Sequence, residues 1–158
     1  ELYEESKRIE CRNKAFQYLA ARSRSVEEMA RYLRKKNFSE KHITENLEYL
    51  KSKGYLNDSD YAAAFVRERL KSGRHGRDII VRDLYRRGIT RRIIDRAVKE
   101  CGADEPDMDA LYSLALKKFN TVKDKENSLV RVGNYLRQRG FDYDSIKKVL
   151  RRLGAEEE

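Results

Sequence analysis

The chain has 158 residues, of which 40% are charged and 39% hydrophobic, and its formal net charge is +9. This length allows one domain or a few small units with modest cores, and no segment approaches the apolar run of a membrane span. The first residues are charged and lack the apolar core of a secretory signal, so we expect no export signal. Residue 1 is Glu and not Met, and we therefore expect the chain to be part of a longer one.

The first predicted helix lies in KAFQYLAARS (14–23), after an N-terminal flank at residues 1–12. Ser25 and Glu28 have the spacing of a capping box and open a second helix. That helix runs into the phrase YLRKKNFS (32–39), which returns as DLYRRGIT (83–90) and YLRQRGFD (135–142). The chain therefore contains an internal repeat.

Superposing the repeats on their shared leucine aligns apolar residues at helical spacing on both sides of it. The leucines are Leu33, Leu84 and Leu136. The apolar residues that align with one another are Met29, Ile80 and Val132 before them, and Ile43, Ile94 and Ile146 after them. This spacing places the aligned side chains on the buried faces of two helices in each repeat.

Each repeated phrase also predicts the corner between its two helices. The position four residues after the leucine is Asn37, Gly88 or Gly140, the residue types that tolerate a left-handed helix end. An apolar residue follows, and then a predicted cap of the next helix at Ser39, Thr90 and Asp142.

Further helices precede the second and third corners, in DYAAAFVRERLKS (60–72) and MDALYSLALKKF (108–119). Turn residues in GYLND (54–58) and CGADEPD (101–107) separate the repeats. We predict an all-α fold of nine helices, arranged as an elongated array of three tandem three-helix repeats at residues 13–54, 55–102 and 107–154.

The positive charge is concentrated in the middle repeat, where residues 67–99 hold twelve Lys or Arg against four acids. Residues 1–66 contribute +2 (thirteen basic, eleven acidic), and residues 100–158 contribute −1 (eleven basic, twelve acidic). Such a concentration produces a positive field that attracts phosphate or an acidic protein face. The alternative is a solvated surface whose cations are partly neutralised by Asp78, Asp83 and Asp95.

Helical spacing indicates which cations face outward, because the apolar positions of the same helices define the buried side. The predicted partner- or nucleic-acid-binding residues are Lys71, Arg74, Arg77, Arg82, Arg86, Arg87, Arg91, Arg92, Arg96 and Lys99. The first amides of the helix after GRHG (73–76) could also receive an anion. Tyr85 is the aromatic residue best placed to stack on a base.

Patterns for catalysis, metals and cofactors are missing from the sequence, which has no Gly-rich phosphate loop, no HExxH and no CxxC. Cys11 and Cys101 stand apart, which fits a reducing cytoplasm. His42 and His75 are typical of surface or helix-end residues, and Asp58 fits a role at a helix start. We expect a protein that is not an enzyme and needs no cofactor.

Three features together resemble the RecX regulatory proteins of bacteria: the triple helical repeat, GYLNDSDYAAAFVRERL (54–70) and GRHGRDIIVRDLYRRGI (73–89). The resemblance covers roughly residues 13–153. It implies a monomeric cytoplasmic regulator that binds the RecA recombinase, mainly as its filament on single-stranded DNA, and restrains strand exchange and ATP hydrolysis. The chain departs from the family at Arg77, where a Pro is common, and at Asn37, where Gly is usual.

Two other functions are compatible with the same residues. The basic repeat alone would suit a non-specific DNA-binding module that requires no protein partner. A helical interaction protein for an acidic partner unrelated to recombination is the third possibility.

Overall fold

The computed structural model describes residues 1–157, and every regular element in this range is an α-helix. The nine helices of this range are α1 (Leu2–Ala21), α2 (Val26–Lys35), α3 (Glu40–Ser52), α4 (Asp58–Ser72), α5 (Arg77–Arg86), α6 (Arg91–Glu100), α7 (Met108–Val122), α8 (Ser128–Gln138) and α9 (Tyr143–Glu157). None of these helices is long and apolar enough to cross a membrane. The predicted all-helical fold of three-helix repeats is confirmed.

The helices group in threes, and each group has its own hydrophobic core. We call α1–α3 the first repeat, α4–α6 the second and α7–α9 the third. The helix pairs that pack extensively all lie within one repeat. The repeated leucines lie at the centres of these cores, since Leu33, Leu84 and Leu136 are all fully buried. The predicted buried faces are therefore correct, and each repeat buries its own apolar residues.

The three corners share one hydrogen-bonding pattern. In each corner the carbonyl of the repeated leucine accepts a bond from the amide five residues later, at 3.3 Å in the first repeat, 3.1 Å in the second and 3.2 Å in the third. The residue before that amide has a left-handed backbone, with φ of 67° at Asn37, 77° at Gly88 and 91° at Gly140. Asn37 thus replaces the usual glycine without loss of the turn.

The predicted helix caps are confirmed at three of four positions. Ser25 and Glu28 form a complete capping box, Ser39 accepts from the amide of His42, and Asp142 accepts from the amide of Ser145. The prediction for Thr90 is wrong, because its side chain makes no cap hydrogen bond. Thr is a weaker cap than Ser or Asp, and the exposed start of α6 leaves its amides to solvent.

The first helix begins at Leu2, well before the predicted start at Lys14, so the N-terminal flank is helical. Its first turns pack on α3, where the Nε2 atom of His42 lies 3.0 Å from a carboxylate oxygen of Glu4. His42 lies in the first turn of α3, so the expected helix-end position is confirmed, although the residue is buried and only 5% of it is exposed. Cys11 lies before the predicted start of this helix and is fully buried in the first core, so it could have indicated the longer helix.

Neighbouring repeats meet through equivalent positions. The hydroxyl of Ser25 donates to the carbonyl of Arg87 at 2.6 Å, and the amide of Gly76 donates to the carbonyl of Arg139 at 2.7 Å. Ser25 and Gly76 both lie eight residues before the repeated leucine, while Arg87 and Arg139 both lie three residues after it. The corner of one repeat therefore docks on the start of the second helix of the repeat before it.

Asp58 adds a bond to the first of these junctions. Its carboxylate accepts a 2.9 Å hydrogen bond from the amide of Val26, the first residue of α2. The cap of its own helix is Asn57, which accepts from the amide of Asp60. The sequence placed Asp58 at a helix start, but its side chain serves a helix of the neighbouring repeat.

Candidate nucleic-acid and partner interface

The outer side of the second repeat carries two rows of basic residues. On α5, Ile80 and Leu84 are fully buried, which leaves Arg82 and Arg86 exposed. On α6 the buried residues Ile94, Ala97 and Val98 leave a second exposed row. Its members are Arg91, Arg92, Arg96 and Lys99. The helical spacing predicted the exposure of both rows correctly.

The ten predicted residues fall into three groups by the partners of their side chains. Four of them face a carboxylate: Arg77 lies 2.8 Å from Asp104, Arg82 3.4 Å from Asp83, Arg91 3.7 Å from Asp95 and Arg96 2.9 Å from Glu100. Arg87 donates to the hydroxyl of Tyr61. Among the side chains that the structure describes, at residues 1–155, those of Lys71, Arg74, Arg86, Arg92 and Lys99 form no ion pair. No described carboxylate therefore competes with a ligand for these five cations.

The structure does not gather the ten residues on one surface. Lys71 and Arg77 line a cleft of about 640 Å³ between the second and third repeats. Arg74 and Arg87 line a groove of about 660 Å³ between the first and second repeats. The other six lie on α5 and α6. The ten predicted residues therefore lie in three separate places.

The expected anion site at the start of α5 is wrong. The helix begins at Arg77 after Gly76, without the proline common in the family. Its first amides already have partners, because Gly76 donates to the carbonyl of Arg139 and Asp78 donates to that of Gly140 at 3.2 Å. Backbone carbonyls of the third repeat occupy the position that an anion would need.

The cleft beside the third repeat has mixed charge. Its floor is apolar and includes Leu70, Leu111 and Phe141. Acidic side chains from the connection between α6 and α7 line it together with the cations, and Asp104 is bound to Arg77. Among the described residues that line the cleft, five are acidic and three are basic, so it is a weak candidate for phosphate.

The groove beside the first repeat is strongly basic, and the sequence identified only half of its arginines. Arg22 and Arg69 line it as well as Arg74 and Arg87. We refer to these four residues and the cavity between them as the first-junction groove. Arg69 lies four residues after Phe65, a spacing that places two side chains side by side on a helix and could have identified it. No local pattern marks Arg22, because its place depends on how two repeats meet.

Salt bridges and burial fix the charge states around this groove. Arg22 lies 2.8 Å from Glu28, and this hydrogen bond raises the pKa of the guanidinium. Burial alone would raise the pKa of Glu28, but hydrogen bonds from the Ser25 amide and from Arg22 outweigh it and lower that pKa. Burial and the charge of Arg69 lower the pKa of His75, so its ring is neutral near pH 7.

Tyr85 is 46% exposed on α5, next to Arg86. Its ring is accessible, and stacking on a base remains a prediction for it. His75 is partly buried at the edge of both cavities, and its Nδ1 atom has no hydrogen-bond partner within the described residues.

Comparison with known proteins shows the same three-part organisation. Three family models match in order: the first three-helix domain of RecX at residues 11–50, the second at 57–98 and the third at 105–150. The regulatory protein RecX of Clostridium perfringens strain 13 is 30% identical over 157 residues, which cover 97% of this chain and 73% of that protein. The regulatory protein RecX of Clostridioides difficile is 34% identical over 92% of this chain and 68% of its own length.

Solved structures agree with this match. The crystal structure of RecX from Lactobacillus salivarius superposes with a TM-score of 0.83 at 25% identity, over 96% of this chain and 99% of that one. A second crystal structure, of a regulatory protein RecX, has a TM-score of 0.85 at 21% identity and supports the fold.

Proposed function

The chain belongs to the RecX family of regulatory proteins, and from this premise we propose that it binds the RecA recombinase, chiefly as its filament on single-stranded DNA. In this proposal it restrains strand exchange and the coupled ATP hydrolysis without chemistry of its own. It acts in the bacterial cytoplasm as a monomer and so modulates DNA repair and recombination.

The observation that carries the proposal is the combination of three RecX domains with a set of unpaired cations on the middle one. Arg86, Arg92 and Lys99 are exposed on α5 and α6 and have no ion pair within the described part of the chain. The DNA of such a filament carries closely spaced phosphates. Exposed guanidinium and ammonium groups are attracted to phosphate.

The repeat architecture supports the same proposal. Each repeat has its own core and meets its neighbour through turns and helix starts. Such an array presents surfaces at successive positions along its length. Successive repeats could therefore contact successive positions along a filament, with the basic second repeat nearest to the nucleic acid.

The test is inhibition of the ATPase activity of RecA on single-stranded DNA by matched variants. The triple change Arg86→Glu, Arg92→Glu and Lys99→Glu should abolish inhibition, while the helical circular dichroism stays unchanged. The matched control carries Arg137→Glu, Lys148→Glu and Arg151→Glu, which reverse the same number of exposed cations in the third repeat. Unchanged inhibition by the first variant would reject this surface, and equal losses in both would indicate a general effect of net charge.

A DNA-binding module without a protein partner is the second candidate, and the cations that face no carboxylate favour it. It predicts that the isolated protein binds duplex DNA with a steep salt dependence, about 0.9 log units of affinity per log unit of salt for each phosphate neutralised. Weak binding with little salt dependence would reject this candidate.

A further inference from the structure

The first-junction groove brings together four guanidinium groups from two repeats. Arg22 follows the last residue of α1, Arg69 lies in α4, and Arg74 and Arg87 come from the connections on either side of α5. Glu68 is the one acidic residue among its lining within the described part of the chain. An anion that enters the groove therefore meets cations on more than one side.

Three of these arginines are held in place by other side chains. Arg22 is bonded to Glu28, and Arg69 lies 3.2 Å from a carboxylate oxygen of Asp83. Arg87 donates to the hydroxyl of Tyr61. Side chains that are already ordered lose little conformational entropy when a ligand binds. Arg74, in contrast, is exposed and forms no ion pair with a described side chain, so no carboxylate among these competes with a ligand for it.

The groove also contains planar groups that can stack. The guanidinium carbons of Arg69 and Arg87 lie 4.6 Å and 4.7 Å from the centre of the Phe65 ring. Both arginines line the groove, so each guanidinium has the ring as one neighbour and the cavity as another. A base offers an aromatic face that can stack on a guanidinium plane, and the carboxylate side chains of an acidic peptide have no such face.

We propose that the first-junction groove binds a single strand of nucleic acid, with Arg22 and Arg74 on the phosphates and a base against Arg69 or Arg87. A single strand fits better than a duplex, because the bases of a duplex are stacked on one another and cannot enter a cavity of about 660 Å³. The inference extends the proposed function, since it assigns the strand to a site away from the outer rows of α5 and α6. Binding of the strand in this groove does not require the recombinase.

Binding at this place should also stiffen the first junction. Arg22 belongs to the first repeat, and the other three arginines belong to the second. The same junction is held by the bond from the Ser25 hydroxyl to the Arg87 carbonyl and by the bond from the Val26 amide to Asp58. A strand that bridges Arg22 and Arg74 adds a further link between the two repeats and should raise the melting temperature.

The experiment measures binding of a fluorescein-labelled oligothymidylate to the isolated protein by fluorescence anisotropy over a range of salt concentrations. Arg74→Gln should weaken binding about tenfold, the loss expected when a charge-assisted hydrogen bond to phosphate is removed. It should also reduce the salt slope by about 0.7 for the lost phosphate contact. The matched control is Arg137→Gln, which removes an exposed cation from the third repeat and should leave affinity nearly unchanged.

A second measurement uses the melting temperature. The oligonucleotide should raise the melting temperature of the wild type and of Arg137→Gln, and raise that of Arg74→Gln much less. Equal affinities of the two variants would overturn the assignment. A poly-glutamate peptide that competes as well as the oligonucleotide at equal charge would also overturn it, because the groove would then be a general polyanion site.

Failure of this inference can be distinguished from failure of the proposed function. A protein that inhibits the RecA ATPase but whose oligonucleotide binding is insensitive to Arg74→Gln lacks the groove site and keeps the proposed function. A protein that binds the oligonucleotide through Arg74 but has no effect on RecA keeps the groove and loses the proposed function.

Discussion

Replacing Gly76 with Ala should disrupt the junction between the second and third repeats. Gly76 precedes α5 with an ordinary φ of −86°, so alanine is compatible with the backbone at this position. The space around this position is too small for alanine, because an added Cβ would lie 2.4 Å from the backbone carbon and oxygen of Gly140. Backbone atoms cannot rotate away as a side chain would, so the third repeat itself must shift.

The cost has two parts. Forcing a methyl group into a packed contact costs about 1–3 kcal/mol. The shift would also stretch the bonds that Gly76 and Asp78 donate to the carbonyls of Arg139 and Gly140, and each such bond contributes about 1 kcal/mol. We therefore expect Gly76→Ala to lower the free energy of unfolding by about 2–4 kcal/mol.

Urea denaturation followed by far-ultraviolet circular dichroism measures this change. Gly154→Ala in α9 is the matched control, because its Cβ would lie 3.7 Å from Leu129, an ordinary contact. Alanine favours a helix interior over glycine, so this control should gain up to about 1 kcal/mol. A loss smaller than about 0.5 kcal/mol in Gly76→Ala would refute the argument, since it would show that the junction yields without cost.

Three further predictions concern the first repeat and its junction. Ser25→Ala should lower the free energy of unfolding by about 1–2 kcal/mol, because it removes a capping box and the hydrogen bond to the Arg87 carbonyl. Ser39→Ala removes only a cap bond, so it should lower the free energy of unfolding by less in the same urea experiment. Burial raises the pKa of Asp58, so its contribution to stability is fully present below the pKa of the unfolded chain and is lost as pH rises through the higher folded pKa. This loss begins at about pH 4, near the pKa of an unfolded Asp. Asp58→Asn should remove it, so the melting temperature should fall less with rising pH than in the wild type. The same dependence of melting temperature on pH in both proteins would contradict the raised pKa of Asp58. Burial raises the pKa of Cys11 to about 11. A disulfide reagent at about pH 8 should therefore modify only Cys101 in the folded protein, and both thiols in urea. Rapid modification of both thiols without urea would contradict the burial of Cys11.

The local structure of the repeats could be predicted from the sequence because each signal depends on nearby residues. The leucine spacing marked the buried faces, and the left-handed positions of the corners followed from Gly and Asn. The capping box at Ser25 needed only the residue three positions later. Thr90 is the exception, since its sequence position suits a cap and its hydroxyl makes none.

The junctions could not be predicted in the same way, because their partners are far apart in the chain. Asp58 binds the amide of Val26, and the carbonyls of Arg139 and Gly140 satisfy the amides at the start of α5. Local sequence patterns do not show which backbone groups of one repeat meet those of the next. The expected anion site at α5 was wrong for this reason.

The candidate site was predicted in part. Net charge and helical spacing identified the exposed rows on α5 and α6, together with Arg74 and Arg87. They did not identify Arg22, which reaches the groove only because the first and second repeats pack together. The alternative of neutralisation by neighbouring acids holds for Arg82 and Arg91, which face Asp83 and Asp95, whereas the pairs of Arg77 with Asp104 and of Arg96 with Glu100 were not identified.

The proposed action of this protein on the RecA filament can be tested by the ATPase activity of RecA on single-stranded DNA, with increasing amounts of the wild-type protein at two salt concentrations. We expect inhibition at well below one copy per RecA subunit, because an array of repeats contacts more than one position of a filament. A folded sample with no effect on the ATPase at either salt concentration would contradict the claim.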